Sequence, residues 1–221
     1  MESTAKLRQF YLGVLAVLAW LAVALQLYLT VKVVTAAGQP AIHGVINTLS
    51  YFTILTNILV AIVATASLLR ANKDTFLTRP STMSAIAVYI FIVGMIYSLI
   101  LRALWNPTGL QLVVDRILHD AVPVLYVLFW LFFVRKGALR WMQPFYWLIY
   151  PVVYFVYCLV RGALTGWYPY PFADVTKLGY PAVVANSGMI LGGFLVVSFS
   201  VVAIDRLVGR LLRRLSMPAA Y

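Results

Sequence analysis

The stretch Val45-Ile46-Asn47-Thr48-Leu49-Ser50-Tyr51-Phe52-Thr53-Ile54-Leu55-Thr56-Asn57 runs directly into the apolar segment Ile58 to Leu69, and the whole length carries no Asp, Glu, Lys or Arg. A helix needs about 20 apolar residues to cross a ~30 Å hydrocarbon core. Read as one helix, Val45–Leu69 meets that length. It is also unusually polar for such a helix. At about 100° per residue, Asn47, Ser50, Thr53 and Asn57 fall within an arc of roughly 120°, and Thr56 widens it. A polar stripe cannot face lipid, so it must face protein, water or a ligand. Interhelical hydrogen bonding explains such a stripe as readily as a binding site does.

The rest of the chain supports the membrane reading. Of 221 residues, 63% are hydrophobic and 10% charged, and the mean hydropathy is +0.94. A soluble domain of this size has too little interior to hide that much apolar surface. Six apolar segments are expected, at Gln9–Val34, Val45–Leu69, Thr82–Leu104, Ile117–Val134, Pro144–Leu164 and Pro181–Ile204. They predict an all-α bundle of six transmembrane helices forming one domain. The first segment follows Lys6 and Arg8, but its apolar run is about twice the 7–15 residues of a signal-peptide core, so it reads as a retained helix.

The net charge of +11 comes mostly from basic residues between the apolar segments. Lys6, Arg8, Arg70, Lys73, Arg79, Arg135, Lys136, Arg140, Arg206, Arg210, Arg213 and Arg214 fall on one side of a six-pass topology, against Lys32, Arg102, Arg116, Arg161 and Lys177 on the other. The positive-inside rule then places both termini in the cytoplasm. Anionic lipid headgroups account for this charge better than nucleic acid does. The run Arg206-Leu207-Val208-Gly209-Arg210-Leu211-Leu212-Arg213-Arg214-Leu215 reads as a short basic amphipathic end lying on the membrane.

The opposite, outer side holds the residue types that do chemistry. Thr53, eight residues in from Val45, comes out ~12 Å deep. At a similar level lie Arg102, the run Asp115-Arg116-Ile117-Leu118-His119-Asp120-Ala121-Val122-Pro123, and Arg161. Asp115 is four residues before His119, on the same helical face. It can hold one imidazole nitrogen and leave the other as a base. Asp120 adjoins His119 but points about 100° away. Pro123 removes a helix hydrogen bond and makes room for a ligand. Thr53 and Thr56 are the hydroxyls a base at His119 would activate, and the Asn57 amide is a donor for an oxyanion. Arg102 and Arg161 can hold a carboxylate, unless Asp115, Asp120 or Asp174 pairs with them. A plain structural role for each of these residues remains open on sequence alone.

Other chemistries lack their residues. There is no Gly-x-Ser-x-Gly elbow and no His-Glu-x-x-His. Two histidines, His43 and His119, and one cysteine, Cys158, make neither a zinc site nor a disulfide. No metal, cofactor or nucleic-acid partner is expected.

Four pieces together are distinctive: Tyr51-Phe52-Thr53-Ile54-Leu55-Thr56-Asn57, His119-Asp120-Ala121-Val122-Pro123, Tyr150-Pro151-Val152-Val153-Tyr154, and Arg161-Gly162-Ala163 with Gly166-Trp167-Tyr168-Pro169-Tyr170-Pro171-Phe172. They resemble the androgen-induced-protein family, in its prokaryotic six-helix branch, over most of the chain. Animal members of that family are threonine hydrolases that cleave fatty acid esters of hydroxy fatty acids. The resemblance implies a lipid ester hydrolase with Thr53 as nucleophile and His119 as base. Asn57, Thr56, Arg102, Asp115, Asp120 and Arg161 would bind substrate or support the pair. Membrane lipids and a fatty acyl ester are the implied partners. In the animal pattern an Asp or Asn follows the nucleophile by three residues. Here Asn57 follows Thr53 by four and Thr56 by one, so Thr56 stays as an alternative. A protein that binds a lipid without chemistry, or a small transporter, would use the same polar stripe.

Overall fold

A computed structural model describes residues 2–69 and 75–216, so Arg70 and Lys73 lie outside the described residues. The described chain is all helix, turn and loop, without a strand. Five helices are long and apolar enough to cross a membrane: Glu2–Ala36, Phe52–Leu69, Pro80–Leu104, Gln143–Thr165 and Val175–Leu215. That build suits a multi-pass membrane protein. The chain divides into two compact units, one of residues up to Thr78 with Tyr89–Phe133, the other of Arg79–Val88 with the chain from Val134 onward.

In the first unit, α1 (Glu2–Ala36) presents Leu12, Leu15, Ala16, Ala19, Ala22 and Val23 as a buried stripe at helical spacing. The next segment departs from the sequence expectation. Val45–Leu69 is not one helix. It is α2 (Ala41–Leu49) and α3 (Phe52–Leu69), divided at Ser50 and Tyr51. Side chains compete with the helix there. The Thr48 hydroxyl donates to the Gly44 carbonyl at 2.8 Å and the Ser50 hydroxyl to that of Ile46 at 2.6 Å. Such back-bonding from Ser and Thr loosens a helix. The Ser50 and Tyr51 N–H groups then reach only three residues back, to Asn47 and Thr48. Asn47 and Ser50 are therefore not on the helix that carries Thr53. Thr53 is the second residue of α3, in its first turn, rather than two turns down a longer helix. His43 lies within α2.

The helix α4 (Pro80–Ile96) widens into a π segment, Tyr97–Leu101, and ends in a 3-10 turn, Arg102–Leu104. The expected fourth segment is helical from Gly109 to Phe133, but in three parts: α5 (Gly109–Arg116), a second π segment (Ile117–Ala121) and α6 (Val122–Phe133). Pro123 has no N–H to return to the His119 carbonyl. The chain accommodates this by widening, and the Val122 N–H bonds the Ile117 carbonyl five residues back. Gly94 of α4 packs against this spot. A Cβ there would stand 3.2 Å from both the His119 carbonyl oxygen and the Pro123 Cβ, a tight contact that a larger residue would meet only by moving its neighbours a few tenths of an ångström. Ala22 and Val23 of α1, Ile54 of α3, Val114 of α5 and Leu118 form one buried cluster that fixes these elements together. In lipid the gain comes from packing contacts rather than from exclusion of water.

In the second unit, α7 (Gln143–Trp147) and α8 (Ile149–Thr165) precede α9 (Val175–Ser216). Asp174 caps α9, accepting from the Thr176 N–H at 3.0 Å and from the Thr176 hydroxyl. After a non-helical Gly179, α9 runs without interruption through the basic residues to Ser216. The basic C-terminal stretch is thus a continuation of the long helix and not a separate element lying across it. The loop before α7 is latched to α9 through one residue. The Leu139 N–H donates to Asp205 Oδ2 at 3.0 Å, and the Leu139 carbonyl accepts from Arg206 Nη1 at 3.2 Å.

Candidate functional site

His119 occupies the middle of the second π segment in the first unit. Its Nδ1 lies 3.2 Å from Asp115 Oδ1 and 3.0 Å from the Asp115 carbonyl oxygen. Both neighbours only accept, so in the neutral ring Nδ1 must carry the hydrogen. Nε2 then holds the lone pair, and it has no hydrogen-bond partner among the described residues. The sequence spacing anticipated this pairing of Asp115 with His119, and the structure brings the two together. Asp115 is only 4% exposed. A carboxylate so buried needs partners at both oxygens. The second is Tyr97, whose hydroxyl donates to Asp115 Oδ2 at 2.5 Å. The Tyr97 ring also stacks on the imidazole, with centroids 3.8 Å apart and planes 15° from parallel.

Asp120 sits beside this group and takes the arginines. It pairs with Arg102, and with Arg116 at 2.9 Å. The Arg102 guanidinium also lies 5.1 Å from the Tyr97 ring centre. The expectation of Arg102 as a free cation for a substrate carboxylate therefore gives way to an ion pair. The two arginines and one carboxylate keep a single net positive charge, half-exposed to the surroundings.

The α3 face that bears Thr53 meets the π segment through Asn57. The Asn57 Nδ2 donates to the Thr53 carbonyl at 2.9 Å and across to the Leu118 carbonyl at 3.3 Å, one residue before His119. Both of its N–H donors are engaged. What remains is Oδ1, a buried acceptor without a partner. Asn57 as it stands is a tie between α3 and the histidine segment, and the donor expected to support an oxyanion is already in use. The two threonines differ in access. Thr53 is 7% exposed and Thr56 is 0% exposed. Only the first offers any surface to a ligand.

Arg161 belongs to the second unit, where its guanidinium lies 4.1 Å from the centre of the Trp167 ring. That cation–π contact is an ordinary use of an arginine among interfacial aromatics. Tyr97 is the residue the sequence did not single out. Its one signal was a phenol inside an apolar run, since a buried tyrosine hydroxyl needs a partner. Its partner is 18 positions away. Among the described residues, no three His, Cys, Asp or Glu side chains gather as a metal site would require. No protein-family model, no curated protein and no solved structure matches this chain.

Proposed function

We propose that the protein is a six-pass membrane hydrolase of fatty acyl esters, with Thr53 as nucleophile and His119 as general base. The observation that carries this reading is the state of the imidazole. Its Nδ1 is held by a buried carboxylate and its Nε2 is left without a partner. That is how a base is prepared for a hydroxyl nucleophile. Thr53 supports the assignment in two ways. It is the more accessible of the two threonines, and Asn57 ties its helix to the segment carrying His119. It also lies in the first turn of α3, where the helix dipole favours developing negative charge.

The steps follow from these roles. Thr53 Oγ1 attacks the ester carbonyl carbon while His119 Nε2 takes the hydroxyl proton. The proton passes to the departing alcohol oxygen as the ester C–O bond breaks, leaving an acyl-threonine. Water then attacks that ester, giving one proton to His119. The fatty acid leaves and the proton returns to Thr53. The topology belongs to the same proposal, with Gly109–Phe133 as the sixth crossing and both termini cytoplasmic.

The test is turnover of a long-chain p-nitrophenyl acyl ester by the detergent-solubilised protein, together with labelling by a fluorophosphonate. Wild type should turn over and label. Thr53→Ala and His119→Ala should do neither. Turnover retained in both variants would sink the mechanism. A wild type that binds the ester without turnover would leave a lipid-binding protein in its place.

A further inference from the structure

We propose that Tyr97 is a positioning residue that sets the tautomer and plane of the His119 imidazole. The inference rests on the reading of His119 as the base, and its direct readout is independent of activity. The three side chains form a closed unit. The Tyr97 hydroxyl holds Asp115 Oδ2 at 2.5 Å. Asp115 Oδ1 faces His119 Nδ1 at 3.2 Å. The stacked rings of Tyr97 and His119 close the circuit, 3.8 Å apart. Each contact removes one freedom. The phenol fixes rotation of the carboxylate about its last torsion, so that one oxygen stays aimed at the imidazole. The stack fixes the plane of the imidazole itself. Tyr97 is 4% exposed, so water does not compete for either contact.

Arg102 and Arg116 both lie close enough to draw a carboxylate, and Asp120 engages them both. Asp115 is thereby left to a neutral donor on one side and the imidazole on the other. A neutral phenol holds the carboxylate without cancelling the charge that favours an imidazolium. Both Tyr97 and His119 stand in π segments. These are rare and concentrate at functional sites because the extra residue per turn re-aims side chains.

The experiment uses 15N-histidine-labelled full-length protein in detergent. The chain has two histidines, so His43→Gln leaves the ring signals of His119 alone. In that background the wild-type ring should give the pattern of a single Nδ1–H tautomer. Tyr97→Phe keeps the stack and removes the hydroxyl, and should give a mixture of tautomers. Its kcat for the p-nitrophenyl ester should fall on the order of tenfold with KM within about twofold, as loss of a hydrogen bond to a charged group implies. Tyr97→Leu, which removes the stack as well, should fall further. A Tyr97→Phe protein with the wild-type tautomer and wild-type kcat would overturn the proposal. Absent turnover in wild type, or turnover indifferent to Thr53→Ala, would instead overturn the hydrolase reading. The ring signals would then still decide whether Tyr97 holds His119.

Discussion

On the proposed mechanism, two threonines three positions apart on one helix divide the roles, Thr53 for chemistry and Thr56 for packing. Thr56 is sealed within the first unit and Thr53 is not. Thr56→Ala is expected to act on stability, by about 1 kcal/mol for a buried hydroxyl, and to leave kcat within a fewfold of wild type. Thr53→Ala is expected to lower ester turnover by at least about 10²-fold, because removing a nucleophile leaves its base nothing to activate. Parallel measurement of turnover and melting temperature separates the two effects, and equal losses of activity would contradict the assignment. Asn57 supplies a control at the same scale. Its amide joins the Thr53 and Leu118 carbonyls. Asn57→Leu, of similar volume, leaves two carbonyls unjoined and should cost about 1 kcal/mol, the size typical of polar contacts between membrane helices. Turnover should fall with it, since the helix carrying Thr53 would lose its tie to the segment carrying His119. A more stable Asn57→Leu protein with full activity would show that the tie is dispensable.

Helix breaks place the site, and they were the least legible feature of the sequence. The pair Asp115 and His119 could be read at once, because four residues on a helix share a face. Tyr97 could not, because its link to Asp115 depends on how two π segments turn, and periodicity arguments assume α-helix throughout. The division at Ser50 was hidden for another reason. Hydropathy runs unbroken through Val45–Leu69, and only the back-bonding hydroxyls of Thr48 and Ser50 mark the stop. Pro123 tests whether the second π segment matters. Pro123→Ala restores an N–H that can reach the His119 carbonyl and close the segment toward α-helix. Melting temperature should hold or rise while turnover falls, and unchanged turnover would show that the widened turn is incidental. The loop before α7 has its own signature. Burial pushes the Lys136 ammonium down to about 8 from its ordinary 10.5, against the opposing pull of Asp205. Between about pH 8 and 10.5 the unfolded chain therefore binds more protons at this site than the folded one, so stability rises with pH across that window. Melting temperature should climb from pH 8 to 10 in wild type, and the part due to this site should vanish in Lys136→Met. Identical pH curves for the two proteins would show that burial of the ammonium contributes nothing.

At the scale of the whole molecule the decisive quantity is the parity of the crossings. Five helices satisfy length and hydropathy on their own, and five crossings would put the two ends of the described chain on opposite sides. Arg206, Arg210, Arg213 and Arg214 would then face outward, against the bias that keeps basic residues in the cytoplasm. A sixth crossing by Gly109–Phe133 restores that bias. It carries Asp115, Arg116, His119 and Asp120 into or beside the bilayer, where charged groups persist when paired within the protein. Arg116 and Asp120 are paired as ions, and Asp115 and His119 are held by each other, with Tyr97 on the second Asp115 oxygen, so each of the four has a partner within the protein. The chain offers a clean test because Cys158 is its one cysteine. In a Cys158→Ser background, Lys6→Cys and Arg210→Cys should both resist an impermeant maleimide in intact cells and react with a permeant one. Thr108→Cys, in the connection before Gly109–Phe133, should react with the impermeant reagent. Labelling of Arg210→Cys from outside, with Lys6→Cys protected, would mean five crossings. Gly109–Phe133, with His119, would then remain on the outer side without crossing, the side from which α3 carries Thr53 into the bilayer.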